Sequence, residues 1–251
     1  MSQNSDFDPA AVAIRPAATV MLLRESDANG VEVFMMRRTT KAAFAGGMYV
    51  FPGGAVDAED SSYEIAAIRE CFEEAGVLLA RTSSGTTVRF DDPESHERFT
   101  EYRHAVHAGD RSMTNVLETE DLAAQSDELQ WVAHWVTPYG EVRRFDTRFF
   151  VVAMPDDQTP LHDDKETVDS LWVTPESALA QSRNGELLML PPTIANLQFL
   201  ALHDSVDAII EAARNIGIPP KLLPKVKWRD DGRIEALLMP DDAGYDDLPE
   251  R

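Results

Sequence analysis

Three acidic residues, Glu70, Glu73 and Glu74, lie close together in a segment with a strong helical pattern. Apolar residues recur along it at steps of three and four, which predicts a helix with one buried face. These apolar positions are Ile65, Ile68, Phe72, Ala75 and Leu79. On this helix the three carboxylates, which we call the acidic face, fall within roughly a quarter turn, almost opposite the apolar side. Because like charges at this spacing destabilise a helix, we infer that a cation offsets them.

A divalent metal ion is the cation that suits clustered carboxylates best. Hard ions such as Mg²⁺ take oxygen ligands, and proteins usually hold Mg²⁺ through a few carboxylates together with substrate phosphates. Arg69 stands four residues before Glu73, where it can orient that acid. Gly53 and Gly54 form a turn ahead of the helix and let the backbone pass close to a metal ion or a phosphate. The alternative is a solvated acidic face that binds no ligand.

Together these residues resemble the Nudix box. Its pattern is a Gly, five residues, a Glu, seven residues, Arg-Glu, an aliphatic residue, any residue, Glu-Glu, any residue, a Gly and an aliphatic residue. Gly54 opens the pattern here, and the run from Arg69 to Val77 completes it, with Gly76 where a helix would be closed or loosened. Asp60 replaces the first Glu, and eight residues instead of seven separate it from Arg69. We call residues 54–77 the box.

The resemblance extends from about residue 15 to residue 200. The segments FPGG, HWVTP, RRFDTRFF, LWVTP and LPPT, in this order, look like the branch of Nudix proteins that includes the peroxisomal coenzyme A diphosphatases and many bacterial relatives. This implies an α/β fold, a Nudix α/β/α sandwich with a mixed sheet, over residues 15–204. A helical insertion at about 91–126 is expected to cover the site or to form a homodimer contact. Residues 1–14 are expected to be a flexible lead, and residues 205–251 a C-terminal helix and an acidic tail.

The resemblance also implies a reaction, the hydrolysis of a nucleoside diphosphate that is joined to another group. Mg²⁺ or Mn²⁺ held by the acidic face, together with the backbone carbonyl of Gly53, would neutralise the diphosphate and lower the pKa of a bound water. Either Glu166 or a carboxylate of the acidic face would take the proton of the attacking water. Glu166 is chosen by its loop position, and its competitors are Asp163, Asp164 and Glu176.

Three arginines are candidates for substrate binding, because a guanidinium matches a phosphate with paired donors. Arg144 and Arg148 lie in the basic run RRFDTR, and Arg38 ends a predicted strand. A structural ion pair is the alternative for Arg148, and a solvated position is the alternative for Arg38.

The substrate itself is left open by the sequence. Coenzyme A or acyl-coenzyme A would be cut to two monophosphate products, and ADP-ribose and dinucleotides are alternatives. A non-catalytic nucleotide sensor on the same fold is an alternative of another class. All three carboxylates of the acidic face are present, which favours an enzyme, because loss of acids from the box would be the sign of a sensor.

Composition narrows the partners and the compartment. The 251 residues carry a formal net charge of −21, which argues against nucleic acid or anionic membrane as a partner, since both are bound by Lys and Arg. One cysteine, Cys71, allows no intrachain disulfide and favours a reducing cytoplasm. No stretch approaches the ~18 uninterrupted apolar residues of a membrane span. We therefore expect a soluble, cytoplasmic protein whose partner is a small-molecule nucleoside diphosphate derivative.

Overall fold

The computed structural model describes residues 8–40, 45–90, 92–161, 167–229 and 234–249. The strands in these ranges are β1 (Ile14–Ser26), β2 (Gly30–Arg38), β3 (Tyr49–Val50), β4 (Gly53–Ala55), β5 (Ala80–Thr82), β6 (Leu122–Ala124), β7 (Gln130–Val136), β8 (Arg144–Ala153), β9 (Thr167–Val173), β10 (Lys221–Leu222), β11 (Lys225–Trp228) and β12 (Ile234–Leu238). The helices are α1 (Tyr63–Glu70), α2 (Pro93–His107), α3 (Met113–Thr119), α4 (Pro175–Arg183), α5 (Pro191–Leu200) and α6 (Val206–Ile216). Within the same ranges, no helix has the length and hydropathy needed to cross a bilayer.

Eight strands form one mixed sheet. Its path is β10-β7-β8-β1-β2-β3, with β4 also paired to β1 and β9 also paired to β2. β1 runs parallel to β8, and β10 runs parallel to β7, whereas the other pairs are antiparallel. β1 is the central strand, because it pairs with β2, β4 and β8.

Helices cover both faces of this sheet. Val20 and Leu22 of β1 pack into one core with α1, α2 and α3. Met21 and Leu23, which point to the opposite face, pack into a second core with α4, α5 and α6. All four side chains are fully buried, which explains why β1 has a continuous apolar run where a strand with one wet face would alternate. The fold is the α/β/α sandwich with a mixed sheet that the sequence predicts.

The box helix is α1 extended by a π-helical turn. Ser62 begins α1 as its N-cap, and its hydroxyl accepts a hydrogen bond from the Ile65 N–H at 3.3 Å. The helix continues through the π-helical turn Cys71–Ala75 and ends where Gly76 takes a left-handed φ of 69°. Leu79, which fits the apolar helical pattern, is buried in the segment beyond the helix. Insertions of this π type are often found at functional sites.

The predicted insertion contains two helices and then a short strand. Within the insertion the sequence predicts helices over residues 93–109 and 114–125; α2 lies within the first, and α3 begins one residue before the second. The second segment is predicted to be helical through residue 125, and this is wrong, because Asp121 takes a positive φ of 52°. The chain then forms β6, which pairs antiparallel with β5 directly after the box. The insertion therefore returns to the end of the box helix.

The C-terminal part of the chain is more structured than the sequence predicts. The sequence indicates α6 and then a loosely ordered tail. Instead, β10 adds to the edge of the main sheet beside β7, and β11 and β12 form an antiparallel hairpin. The strands have two, four and five residues, so their length gives a weak signal, although polar and apolar residues alternate in β11. At the other end of the chain, residues 1–7 of the predicted lead lie outside the described residues.

A buried glutamine fixes the chain after β8 to the end of the box helix. Gln158 is 7% exposed. Its side-chain oxygen accepts from the Leu78 N–H at 2.8 Å, and its amide nitrogen donates to the carbonyls of Leu78 and Val88 at 3.0 and 2.9 Å. One side chain therefore bonds to three backbone groups, two on Leu78 and one on Val88, and only the Leu78 carbonyl among them also accepts from another backbone N–H in the described residues, that of Ala80.

Gln158→Leu is expected to lower the free energy of unfolding by about 2–4 kcal/mol, because it leaves buried backbone groups without partners. Chemical denaturation measures this change. Gln130→Leu is the matched control, since Gln130 also donates to two backbone carbonyls but in an exposed position. An equal loss of stability in both variants would contradict the assigned role.

Candidate active site

The guanidinium of Arg69 is at the centre of the candidate site. The side chain is 8% exposed, and it donates hydrogen bonds to Glu70 Oε1 and Glu73 Oε1, both at 2.9 Å. It also donates to the carbonyl oxygen of Ala55 in β4 at 2.7 Å. Arg69 therefore orients two carboxylates of the acidic face and connects the helix to the glycine turn.

Asp60, whose place in the box departs from the family pattern, is the main partner of Arg69. Its carboxylate accepts from Arg69 Nε at 3.2 Å and from Nη2 at 3.0 Å. It also accepts from the backbone N–H of Asp57 at 2.8 Å, while the Asp60 N–H donates to the Asp57 carbonyl. This tight turn takes up the extra residue of the loop, so that the shorter acid still reaches the guanidinium.

Glu74, the third carboxylate of the acidic face, faces the two glycines, which the sequence places in a turn but which lie in strand β4, paired with β1. Its Oε2 accepts from the backbone N–H of Gly53 at 2.9 Å, and its Oε1 lies 3.7 Å from Arg38 Nη1. The glycines allow this approach. A Cβ on Gly54 would come within 2.5 Å of Glu70 Oε1, and a Cβ on Gly53 within 2.5 Å of the Ala18 carbonyl. A residue with no side chain is therefore needed at Gly54, where β4 passes the box helix, and at Gly53, where β4 passes β1.

Within the described ranges, four buried carboxylates of the site contact two guanidiniums. The acidic face and Asp60 have side chains that are at most 13% exposed, and they face Arg69 and Arg38. Burial by itself lowers the pKa of Arg69, but the hydrogen bonds and charges of the surrounding acids outweigh it and raise the pKa. A buried carboxylate is stabilised by a cation that lies next to it. A further cation would therefore stabilise this part of the molecule.

The acidic face provides the oxygen ligands that a hard divalent ion needs, but these oxygens are not arranged as a complete coordination site. In the described parts of the chain, no group of three or more His, Cys, Asp or Glu side chains is arranged as a metal site. Arg69 holds one oxygen of Glu70 and one of Glu73, while the N–H of Gly53 holds one oxygen of Glu74. The donors are all buried carboxylate oxygens, which fits a hard divalent ion.

A residue that the sequence did not single out, Arg103 of α2, binds the end of the box helix. Its Nε donates to the carbonyl of Glu73, and its Nη2 donates to the carbonyls of Glu74 and Leu161, all at 2.9 Å. The last carbonyls of a helix lack partners within the helix, and a cation there also suits the helix dipole. A Cβ on Gly76 would lie 2.9 Å from Arg103 Nη1. Gly76 thus serves both the left-handed turn and the passage of this arginine.

The three predicted substrate arginines have different surroundings. Arg38 lies beside the acidic face, as its contact with Glu74 shows. Arg148 lies on the same side of the sheet, with its guanidinium carbon 3.9 Å from the ring centre of Tyr63 at the start of α1. Arg144 is buried, and its Nε donates to the carbonyl of Thr137, a placement that gives it a structural partner. A substrate contact by any of them stays a prediction.

Four other predicted acids and the cysteine complete the set. Glu166, together with Asp163 and Asp164, lies outside the described residues, so its role as the base stays a prediction. Glu176 is exposed in the first turn of α4, a helix that covers the opposite face of the sheet from the box helix. Cys71 is fully buried, and burial raises the pKa of its thiol, which suits packing better than nucleophilic chemistry.

Comparison with known families and structures decides which proteins share this arrangement. Residues 60–200 match the model of the NUDT19 Nudix domain, over more than half of the chain. The chain belongs to this Nudix family. The human acyl-coenzyme A diphosphatase NUDT19 is 24% identical to it over 289 aligned residues, which cover 92% of this chain and 76% of the human protein. A nudix-family protein of Caenorhabditis elegans is 28% identical over 191 residues, and the match spans 74% of this chain but 60% of the nematode protein.

A solved Nudix structure shares the fold. The NUDIX hydrolase of Alicyclobacillus acidocaldarius has a TM-score of 0.71 and 27% sequence identity, and the match covers 80% of this chain and 97% of that one. The predicted family and the α/β Nudix fold are thereby confirmed. The family match and the diphosphatase relatives also support a Nudix-type diphosphatase, as the sequence predicts.

Arg69→Met is expected to lower the free energy of unfolding by about 3–5 kcal/mol, because it leaves buried carboxylates without their cation. Chemical denaturation at neutral pH measures the change. Arg89→Met is the control, since Arg89 forms an ion pair with Asp157 in which both side chains are about half exposed, and its loss is expected to cost less than ~1 kcal/mol. Similar small effects of both substitutions would show that Arg69 does not balance the acidic face.

Arg103 and Gly76 are expected to be energetically coupled. Gly76→Ala introduces backbone strain and a close contact with Arg103, whereas in an Arg103→Ala background the strain alone remains. A double-mutant cycle on unfolding free energies should give a coupling of about 1 kcal/mol or more.

Gly85→Ala is the control for this cycle. Gly85 has a similar φ of 82°, but a Cβ added there would meet no atom within 4 Å. Its substitution should therefore cost the same with and without Arg103. Equal costs of Gly76→Ala in the two backgrounds would refute the contact between Gly76 and Arg103.

Proposed function

We propose that this protein is a metal-dependent pyrophosphohydrolase that cleaves the diphosphate of coenzyme A or acyl-coenzyme A. The observation that carries the proposal is the buried, carboxylate-rich acidic face, which Arg69 holds against the glycine turn of β4. This concentration of carboxylates lies next to Arg69 and Arg38 among the described residues. It suits a cation that arrives with a polyanionic substrate.

Glu70, Glu73 and Glu74 would hold Mg²⁺ or Mn²⁺, with the carbonyl of Gly53 as a further ligand. A divalent ion at this position supplies positive charge that offsets the diphosphate, and it activates water for attack. The chain's own residues prepare the site. Arg69 keeps two of the carboxylates in place, and the absence of side chains at Gly53 and Gly54 keeps the backbone close to the acids.

The reaction needs water and one base. The oxygen of water forms a bond to one phosphorus of the diphosphate, and the bond from that phosphorus to the bridging oxygen breaks. A carboxylate takes the proton from the water, and the leaving phosphate keeps the bridging oxygen. Glu166 is the proposed base, with the acidic face as the alternative. Coenzyme A would give 3',5'-ADP and 4'-phosphopantetheine.

Substrate contacts would come from the arginines near the acidic face. Arg38 lies 3.7 Å from Glu74, so a phosphate bound at the acidic face would lie within its reach. Arg148 is stacked between Tyr63 and Trp131 at 3.9 and 4.3 Å. Its Nε is buried and has no hydrogen-bond partner among the described residues, which leaves a donor for a ligand. The relatives support the coenzyme A preference, since the matching human and Xenopus laevis proteins are acyl-coenzyme A diphosphatases.

The test is product release from a panel of coenzyme A, octanoyl-coenzyme A, ADP-ribose, NADH and diadenosine compounds with Mg²⁺ or Mn²⁺. The wild type is expected to form two monophosphates from the coenzyme A compounds fastest. A Glu73→Gln, Glu74→Gln double variant is expected to lose about 10²-fold or more of this rate, because it removes charge that holds the metal ion. Chromatography of the products measures both.

Glu59→Gln is the matched control, since Glu59 lies exposed in the loop of the box, and its rate should be unchanged. Faster cleavage of ADP-ribose or a dinucleotide would replace the proposed substrate but keep the reaction. If no compound is cleaved while one binds tightly, the protein is a nucleotide sensor and the proposed reaction is wrong.

A further inference from the structure

We propose that a cavity between the box helix and α2 binds the acyl-pantetheine arm of the substrate, and this inference rests on the function proposed above. The cavity has a volume of about 550 Å³, within the range of roughly 300–1,000 Å³ that is usual for small-molecule sites. The helical insertion would then select the substrate in addition to packing against the box.

The position of the cavity connects it to the acidic face. Glu73 lines it, as do Phe72, Ala75 and Gly76 of the same helix end. Glu73 directs Oε1 to Arg69, while its Oε2 lies 3.7 Å from His107 Nδ1 on the α2 side. A substrate with its diphosphate on the acidic face would therefore have its next atoms near Glu73, which also lines this cavity.

The walls suit an extended, uncharged and partly apolar chain. Phe90, which is partly exposed, supplies aromatic surface, and the buried rings of Phe72 and Phe99 lie in the wall behind it, with the rings of Phe90 and Phe99 4.8 Å apart. Leu161 lines the cavity and is 58% exposed. An apolar ligand that covered this leucine would remove apolar surface from water, which favours binding. The hydroxyls and imidazoles on the remaining wall can bond to the amides of a pantetheine unit.

The charges of the cavity argue against a phosphate as the occupant. Among the described lining residues there is no lysine, and the one arginine is Arg103. Its guanidinium donates to three backbone carbonyls, so binding a phosphate there would release the end of the box helix. Glu73 and Asp157 add negative charge to the walls. The arm of the substrate, and not its adenosine phosphates, therefore fits this space.

Thr100→Trp tests the inference, because Thr100 lines the cavity from α2 and a larger side chain would fill it. Calorimetry of octanoyl-coenzyme A binding, which needs no turnover, is expected to show about a tenfold weaker affinity, equivalent to ~1.4 kcal/mol. Binding of adenosine 3',5'-bisphosphate, which lacks the arm, is expected to stay unchanged.

Glu101→Trp is the matched control, since Glu101 is the exposed neighbour of Thr100 on the same helix and lies outside the cavity. It should leave both affinities unchanged. His104→Trp fills the cavity from an exposed position and replaces Thr100→Trp if that variant does not fold.

The outcomes separate this inference from the proposed function. Equal affinities of Thr100→Trp and the wild type for octanoyl-coenzyme A, or equal weakening for both ligands, would overturn the cavity assignment. Selective weakening with no hydrolysis by the wild type would support the cavity and refute the pyrophosphohydrolase. Hydrolysis by the wild type, together with an unchanged affinity of Thr100→Trp for octanoyl-coenzyme A, would support the pyrophosphohydrolase and refute the cavity assignment.

Discussion

The buried guanidinium of Arg69 is the interaction on which the candidate site depends. It bonds to Asp60, Glu70, Glu73 and the carbonyl of Ala55, so one side chain fixes the loop, the helix and the glycine turn relative to one another. A neutral residue would leave these acids to repel each other in a buried place. The central strand β1 and the two helical layers hold these three elements in place. The remaining negative charge is what makes the acidic face suitable for a metal ion.

The insertion is part of the site because its helix α2 contacts the box helix through polar groups. Arg103 satisfies the last carbonyls of the π-helical turn and also bonds to Leu161. The Leu161 N–H in turn donates to the Ala75 carbonyl. The end of the box helix, α2 and the chain after β8 are therefore joined at one point. A shift of α2 would change the backbone that carries Glu73 and Glu74, and with it the wall of the adjacent cavity.

The sequence predicts the parts of this site that depend on local spacing. Helical period places Glu70, Glu73 and Glu74 on one face, and two adjacent glycines indicate a close backbone approach. Contacts between residues that are far apart in the chain leave no comparable pattern in the sequence. The bond of Arg103 to a helix end thirty residues earlier, the partnership of Asp60 with Arg69, and the addition of β10 to the sheet depend on tertiary packing. The helical spacing of apolar residues continues through Leu79 and so predicts a longer helix than the structure has, because Gly76 ends the helix before Leu79.

Diffraction at the manganese absorption edge, from crystals of the wild type soaked in Mn²⁺, tests the central claim most directly. We predict an anomalous peak in bonding contact with carboxylate oxygens of Glu73 and Glu74, and no peak there in the Glu73→Gln, Glu74→Gln variant. An active, Mn²⁺-dependent enzyme whose manganese lies away from the acidic face would contradict this claim.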